Sequence, residues 1–514
     1  MSTRMRTMRD VLLRSRRFGE RVAVRVGDEQ RTYVQLIDRA ARLARHLRMS
    51  GLEPGDRLAV MVEDGIRAVE PHLAAHLAGL VLVPVNARFR SAELDHILRD
   101  SGASGLVHST GVSRIVDASD VAPGLFRIVT GGAASADIDS GYEQLLSTGP
   151  AAPPEITITG ESLAMIGYTS GTTGAPKGAM MTHDAGMAAL RANLVAFRVV
   201  PYGACAFSGS ISFTALLWAF VYPHLAVGAS IDFLQPDLTL DRWFDRMEQH
   251  GSTFTFVPTP YIDEFAQLAQ CRPDAIARLA GVCHSASPAT VDQRRAMVEA
   301  LGPVYVESYG ATETRAAGAA AATRPAGRGP RAPGGPATIG RPLAPADIII
   351  VDEAGRPVPP GVTGEIVIDS PSLFVGYWDN PEATAAALPD GRYFTGDLGH
   401  LDDAGFVYVD GRRADLIISG GMNIYPAEVE GVLAGLDGVA DVAVVGVPHE
   451  RWGESVCAVV VRSAGAVMTA EDVIGRVQAN LASYKKPTRV EFVDALPRNA
   501  NLKVMKSVLR KSLG

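Results

Sequence analysis

Between residues 36 and 107 the apolar pattern changes period repeatedly, and this rhythm leaves few folds open. Leu36, Ala40, Leu43 and Leu47 recur at helical spacing, and Gly51 follows where a helix would stop. Apolar runs at 58–62 and 81–85 read as buried strands, with a helical stretch through Ala74 and Leu77 between them. Ser91 stands in N-cap position ahead of Leu94, Ile97 and Leu98, and a short strand follows at 106–107. Such βαβα alternation predicts an α/β fold with a mainly parallel sheet covered by helices.

Further along, residues 315–336 collapse to Ala, Gly, Pro, Arg and Thr, the composition of a loop. Short strands are predicted at 347–351, 364–368 and 406–409. Beyond Gly411–Arg413 a new series begins, with strands at 442–447, 456–461 and 490–493 and helices at 471–481 and from Val504. The division expected is a large N-terminal domain, residues 1–411, and a small α+β domain, residues 412–514.

Bulk chemistry removes several functions. With 49 basic and 56 acidic residues the net charge is −7, which argues against nucleic acid as partner. Cys205, Cys271, Cys283 and Cys457 show no metal-ligand spacing and read as buried free thiols of a cytoplasmic protein. Residues 207–231 carry no Asp, Glu, Lys or Arg, yet Pro223, His224, Gly228 and serines interrupt them; a buried helix and strand are expected, with no stable membrane insertion. The arginine-rich N-terminus lacks an apolar core segment and is predicted as an amphipathic helix with Val11, Leu12 and Leu13.

The chemistry concentrates in Tyr168-Thr-Ser-Gly-Thr-Thr-Gly-Ala-Pro-Lys-Gly178, which follows a strand-like run. Glycines let backbone N–H groups approach an anion, hydroxyls donate to phosphate oxygens, and Lys177 adds a positive charge. The common nucleotide loop needs Gly before Lys and Ser or Thr after it; here Pro176 precedes and Gly178 follows.

This stretch resembles the signature loop of the adenylate-forming superfamily, which includes acyl-CoA synthetases, peptide-synthetase adenylation domains and firefly luciferase. Tyr309-Gly-Ala-Thr-Glu-Thr314, Tyr393-Phe-Thr-Gly-Asp-Leu398, Gly411-Arg-Arg-Ala-Asp-Leu-Ile417, Ser419-Gly-Gly-Met-Asn-Ile-Tyr-Pro-Ala-Glu428 and Pro497-Arg-Asn-Ala-Asn-Leu-Lys503 resemble further motifs in the family's order. The resemblance spans residues 19–510. It implies layered α/β subdomains with a β-rich third subdomain in the large domain, a mobile small domain, and ATP, Mg2+ and CoA as reactants or cofactors.

Site roles follow from the same resemblance. ATP or AMP is expected against Thr169, Ser170, Gly171, Thr172, Thr173, Gly174 and Lys177, against Ser285, Ala286, Ser287 and Pro288, and against Ser308, Tyr309, Gly310, Ala311 and Thr312. Asp397 is expected to hold the ribose hydroxyls with Arg412 nearby, and Glu313 and Thr172 to hold Mg2+. Lys503, Glu313 and Thr172 are the expected catalytic residues; the lysine cation would relieve repulsion between a carboxylate and the α-phosphate. The loop Ser285–Pro288 replaces the family's Gly-Gly-Ala-Pro, Leu502 replaces a glycine, and Ala414 stands at the hinge position, commonly Asp or Lys. Ser419, Gly420 and Gly421 would wall the CoA tunnel.

The acyl pocket is assigned to Gly209, Ser210, Ile211, Phe213, Thr214, Leu217, Tyr309 and Gly310, a roomy and mostly apolar set. Amino-acid-activating relatives place Asp where Thr214 stands, and an ammonium buried without a counter-charge is costly. An apolar carboxylic acid (fatty, aryl or polycyclic) is therefore expected, activated with ATP and passed to CoA. Two alternatives stay open: an adenylation enzyme that loads a carrier protein, and a non-catalytic adenylate or acyl binder. A homodimer is left open as well.

Overall fold

The computed structural model describes the chain except residues 1–4, 64, 132–135, 170–175, 236, 286–288, 315–318, 323–337, 421, 500–502 and 514; side chains at 136–140 and 319–322 are also outside the description. Its first half is built on two sheets. In one, strands Arg57–Met61, Val81–Pro84, Gly105–Ser109 and Phe126–Thr130 run parallel, joined by Leu163–Thr169 and its antiparallel partner Lys177–Thr182. In the other, Val22–Val26, Ser230–Phe233, Ala204–Phe207, Phe254–Phe256, Gly281–His284 and Tyr305–Tyr309 form a parallel core with antiparallel strands at both edges. These strands read as continuous apolar runs because helices cover both faces.

Local chemistry sets the helix starts. Thr32 caps helix Tyr33–Met49, and Gln35 reaches back to the Thr32 amide at 2.9 Å. Helix Ser91–Ser101 differs from expectation. Arg90, not Ser91, occupies the cap position, where Glu93 accepts the Arg90 N–H at 2.8 Å. The Glu93 carboxylate supplies the backward half of a capping box at that amide.

The stretch after Ala204–Phe207 is not one continuous α-helix. Short α-turns Thr214–Leu216 and Tyr222–Ala226 flank a π-turn, Leu217–Val221, before strand Ser230–Phe233. Its residues are buried in the largest core. Among the described residues no helix is long and apolar enough to cross a membrane. Leu13 is 37% exposed, while Val11 and Leu12 are buried as expected. Cys271 is exposed, which corrects the expectation for that thiol; the other three cysteines are buried.

A four-stranded antiparallel sheet follows: Asp347–Val351, Gly364–Asp369, Tyr393–Leu401 and Val407–Arg412. Within the run expected to be loop, Ala319–Ala322 instead forms a strand beside Tyr305–Tyr309. Backbone pairing overrides the poor strand preference of alanine there. The last part of the chain carries its own five-stranded sheet around the hairpin Val439–His449 and Gly453–Arg462. Helices Pro426–Ala434, Ala470–Asn480 and Lys506–Leu513 accompany it. The final helix starts two residues later than expected, because Val504 is engaged in a bridge with Arg498.

Candidate active site

Three parallel strands deliver the predicted residues to one edge. Ala204–Phe207, Gly281–His284 and Tyr305–Tyr309 end at the same side of their sheet, leading into 209–217, Ser285 and 310–314. The carboxyl edge of a parallel sheet is where crevices for ligands form. On the second sheet, Tyr168 pairs with Gly178 and Thr169 with Lys177, so the strands before and after the glycine-rich stretch are antiparallel partners. Ser170, Gly171, Thr172, Thr173 and Gly174 lie outside the described residues, as do Ala286, Ser287, Pro288 and Gly421.

The sheets meet closely. A Cβ on Gly167 would stand 2.6 Å from Thr214 Cγ2 and 3.1 Å from Thr312 Cγ2. Glycine is thus required where the loop-bearing strand passes the expected acyl segment and the Tyr309–Thr314 segment. Ile211 and Leu217 are almost wholly buried, Phe213 packs against the same core, and Ser210 and Ser212 share a hydroxyl bond of 2.8 Å. Gly209 approaches Leu216, whose Cδ1 would be 2.7 Å from an added Cβ.

Asp397 stands in strand Tyr393–Leu401 after Gly396, whose φ of 71° suits glycine. One of its oxygens accepts from the Tyr309 hydroxyl at 2.6 Å, and the other faces Arg412 Nε at 3.0 Å. Burial, then Asp397, pushes the Tyr309 phenol well above its ordinary value, so it stays a donor. Burial works against the Arg412 charge, but Asp397 and its neighbours outweigh it and raise the guanidinium. Ser285 ties two segments together by donating to the Ser308 carbonyl at 2.8 Å. Behind them, buried His284 bonds Glu307 at 3.0 Å and Thr259 at 2.9 Å.

Glu313 is nearly buried, and one carboxylate oxygen accepts from the Tyr377 hydroxyl at 2.8 Å. Lys177 is exposed and stands 5.3 Å from the Tyr377 ring centre. Lys503 lies between strand Arg489–Val493 of the five-stranded sheet and the final helix. Its backbone is pinned by Asn499, whose side chain accepts the Lys503 N–H at 3.0 Å and whose own N–H reaches the Lys503 carbonyl at 3.0 Å. Although Lys503 keeps exposed surface, desolvation in the cleft and then Arg412 lower its ammonium, while Asp397 and Glu313 pull it back up. Those four residues therefore share one electrostatic field.

Residues 13–378 match the model of the AMP-binding enzyme family, and residues 428–503 match that of the AMP-binding enzyme C-terminal domain. The chain belongs to the AMP-binding enzymes. It is similar to a feruloyl-CoA synthase of Amycolatopsis sp, 35% identical over 98% of both chains. It is similar to an indoleacetate–CoA ligase of Aromatoleum aromaticum, 33% identical over 96% of this chain and 95% of the relative. Its structure is similar to that of ATP-bound MatB from Rhodopseudomonas palustris, with TM-score 0.86 and 30% identity over 97% of this chain and 98% of the other.

Two residues that sequence reasoning did not single out hold this AMP-binding enzyme's cleft together. Tyr377 orients Glu313 from 64 positions away. Glu365 accepts the Gly396 N–H at 3.1 Å and pairs with Arg413 at 2.9 Å. Neither lies in a motif, and each acts across a pairing that no local pattern announces. Away from this cluster, Gly420 has φ 57°, and an added Cβ would stand 2.7 Å from the Trp452 ring. The space over Gly420 is thus taken by Trp452. Ser419 pairs with Gly453 at the same sheet edge.

Proposed function

We propose that this protein is an AMP-forming acid–CoA ligase for an apolar carboxylic acid, with aryl acids the preferred class. The observation that carries the reading is Asp397, joined to Tyr309 at 2.6 Å and Arg412 at 3.0 Å, with Lys503 within electrostatic reach of Asp397, Arg412 and Glu313. In the first step a carboxylate oxygen attacks the α-phosphorus of ATP, forming acyl-AMP as pyrophosphate leaves. In the second a thiolate attacks the acyl carbonyl and AMP leaves. Lys503 would lie between two anions that otherwise repel, the electrostatic role worth about 10²–10³ in rate.

The remaining roles are proposed on the same footing. Asp397 would accept the ribose hydroxyls, and Arg412 and Tyr309 would hold its carboxylate in place. Ser285, Ser308, Gly310, Ala311 and Thr312 would border the adenine, and Thr169 and Lys177 the phosphates. Thr214 and its neighbours 209–217 would line the acyl pocket. Glu313 fits a magnesium ion, a hard cation that takes one or two carboxylates plus phosphate oxygens, since Tyr377 engages one of its oxygens. When bound, that ion would neutralise charge on the phosphates.

The domains would divide at 411/412, with the hinge at Ala414, so that the small domain can turn and present Ser419 and Gly420 to CoA. Thr214, which offers no counter-charge to an ammonium, argues against amino acids, and the aryl preference rests on two relatives whose names specify aromatic acids. The test is ATP–pyrophosphate exchange over a panel of aryl, fatty and amino acids, followed by CoA with product masses read out. Exchange and a CoA thioester with aryl acids are expected. Exchange with amino acids alone would end the reading, and thioester formed only on a carrier protein would transfer it to a carrier-loading enzyme.

A further inference from the structure

The opposite edge of the nine-stranded sheet carries a second concentration of positive charge. Strands Val22–Val26, Ala204–Phe207 and Ser230–Phe233 begin there, and between their amino ends lies a cavity of about 480 Å³. Arg21, Arg25, Tyr202, Ser230, His250 and Thr253 line it. A neighbouring cavity of about 490 Å³ shares Arg21 and Tyr202 and adds Arg17 and Phe18. The volume is that of ordinary small-ligand sites.

Arg21 donates to the carbonyls of Tyr202 at 2.7 Å and Gly228 at 3.4 Å, and Arg25 reaches the Ser230 hydroxyl at 3.5 Å. Among the described residues neither guanidinium has a carboxylate within ion-pair distance. The adjacent acid, Asp232, is already held by both Nε and Nη2 of Arg246, at 2.9 and 2.6 Å. Burial lowers the Arg25 guanidinium, Asp232 opposes that shift and Arg246 adds to it, so its charge is undercompensated. His250 adds a buried Nε2 that has no hydrogen-bond partner among the described residues and stands 3.9 Å from Asp232.

An aromatic surface adjoins these charges. Tyr202 is 58% exposed and adopts φ 62°, a left-handed conformation uncommon outside glycine. Arg21 lies 5.0 Å from its ring centre, while its carbonyl receives the same arginine. Backbone strain of this kind persists where surrounding structure imposes it, and it clusters at ligand-holding sites. Guanidinium forks match phosphate oxygens bidentately, and an exposed ring beside them accepts a flat group.

We infer that this amino-edge cavity binds an organic phosphate bearing a flat ring, of the nucleoside diphosphate class, with Arg21 and Arg25 taking the phosphates and Tyr202 the ring. The site is separate from the cleft around Asp397, and no step of the proposed reaction uses it. Strand Ala204–Phe207 connects the two, running from this cavity to the expected acyl segment.

The experiment is calorimetric titration of the full chain with ADP and with inorganic pyrophosphate. Wild type, Asp397→Asn, Arg25→Gln, Arg25→Lys and the double variant Arg21→Gln/Arg25→Gln are compared. Two classes of ADP site are expected in wild type. Asp397→Asn should weaken only the cleft class. Arg25→Gln should weaken the other at least tenfold, the double variant should abolish it, and Arg25→Lys should retain part of it, all with unchanged melting temperature.

A single class of site, lost with Asp397→Asn, would overturn the inference while leaving the cleft reading intact. A second class indifferent to both arginines would overturn it as well. Phosphatidylglycerol vesicles supply the last arm. Arginine-dependent binding to them, without binding of ADP or pyrophosphate, would assign the patch to a lipid surface and reject the cavity site.

Discussion

Two regions of the large domain bury polar groups, and they do so in opposite ways. In the cleft, Asp397 and Glu313 are held by groups from different elements: Tyr309 and Arg412 for one, Tyr377 for the other. Beneath the expected acyl segment, His72, His76, His183 and His224 sit among Trp218, Tyr222 and the core helices. There charge is suppressed. Burial takes His72, His183 and His224 down to about 4, and His76 well below its ordinary value. A cleft that must handle anions keeps compensated charge, whereas the core supporting it keeps neutral rings.

The largest expected effect breaks the core side of this contrast. The four histidines stay neutral when folded but take protons below about 6.5 when unfolded, so the unfolded chain binds more protons as pH falls. Stability is therefore retained above pH 6.5 and lost as pH falls from there toward 4, by up to about 1.4 kcal/mol per pH unit for each histidine. Denaturant titrations at pH 7.5, ~6 and ~5 measure that slope; equal stability at all three would remove the distinction. Replacing His183 by Gln should flatten part of the slope without creating a pH-sensitive group.

On the cleft side, Lys503→Ala should lower acyl-adenylate formation about 10²–10³-fold while thioester formation from supplied acyl-AMP persists. Pyrophosphate exchange and single-turnover thiolysis separate these steps, and equal loss in both would refute the assignment. Asp397→Asn keeps the shape but removes the charge that Tyr309 and Arg412 share. Hydrogen bonds to charged groups are worth ~1.5–3 kcal/mol, so the KM for ATP should rise about 10–100-fold with little change in the KM for the acid. The smallest effect belongs to Tyr377→Phe. Loss of one hydrogen bond to Glu313 predicts about a three- to tenfold fall in exchange, with a raised magnesium requirement.

Much of this layout was readable beforehand. The period changes before residue 107 placed helix Tyr33–Met49 and strands Arg57–Met61 and Val81–Pro84, because tight burial leaves few apolar patterns. Motif resemblance marked Asp397 beside Gly396 and Glu313 after Gly310, whereas Lys503 stood in a stretch without glycine and was marked by its motif alone. Tyr377 and Glu365 stayed hidden because a side chain's partner is set by topology, not by its own neighbours. Ala319–Ala322 escaped for a related reason: the adjoining strands supply its pairing, and alanine itself contributes little preference. The π-turn at Leu217–Val221 also has no signature in a uniformly apolar run.

Glu365 carries a mechanical consequence. The same carboxylate grips the amide beside Asp397 and the guanidinium of Arg413, next to the expected pivot. Arg413 is half-exposed, and such a pair contributes only about 0.2–1 kcal/mol, too little to lock a lobe. A swing about that pivot would part Arg413 from Glu365 but leave the Gly396 brace in place, since strands Gly364–Asp369 and Tyr393–Leu401 pair in one sheet. The turn that carries Asp397 would then keep its shape whichever way Arg413 moves.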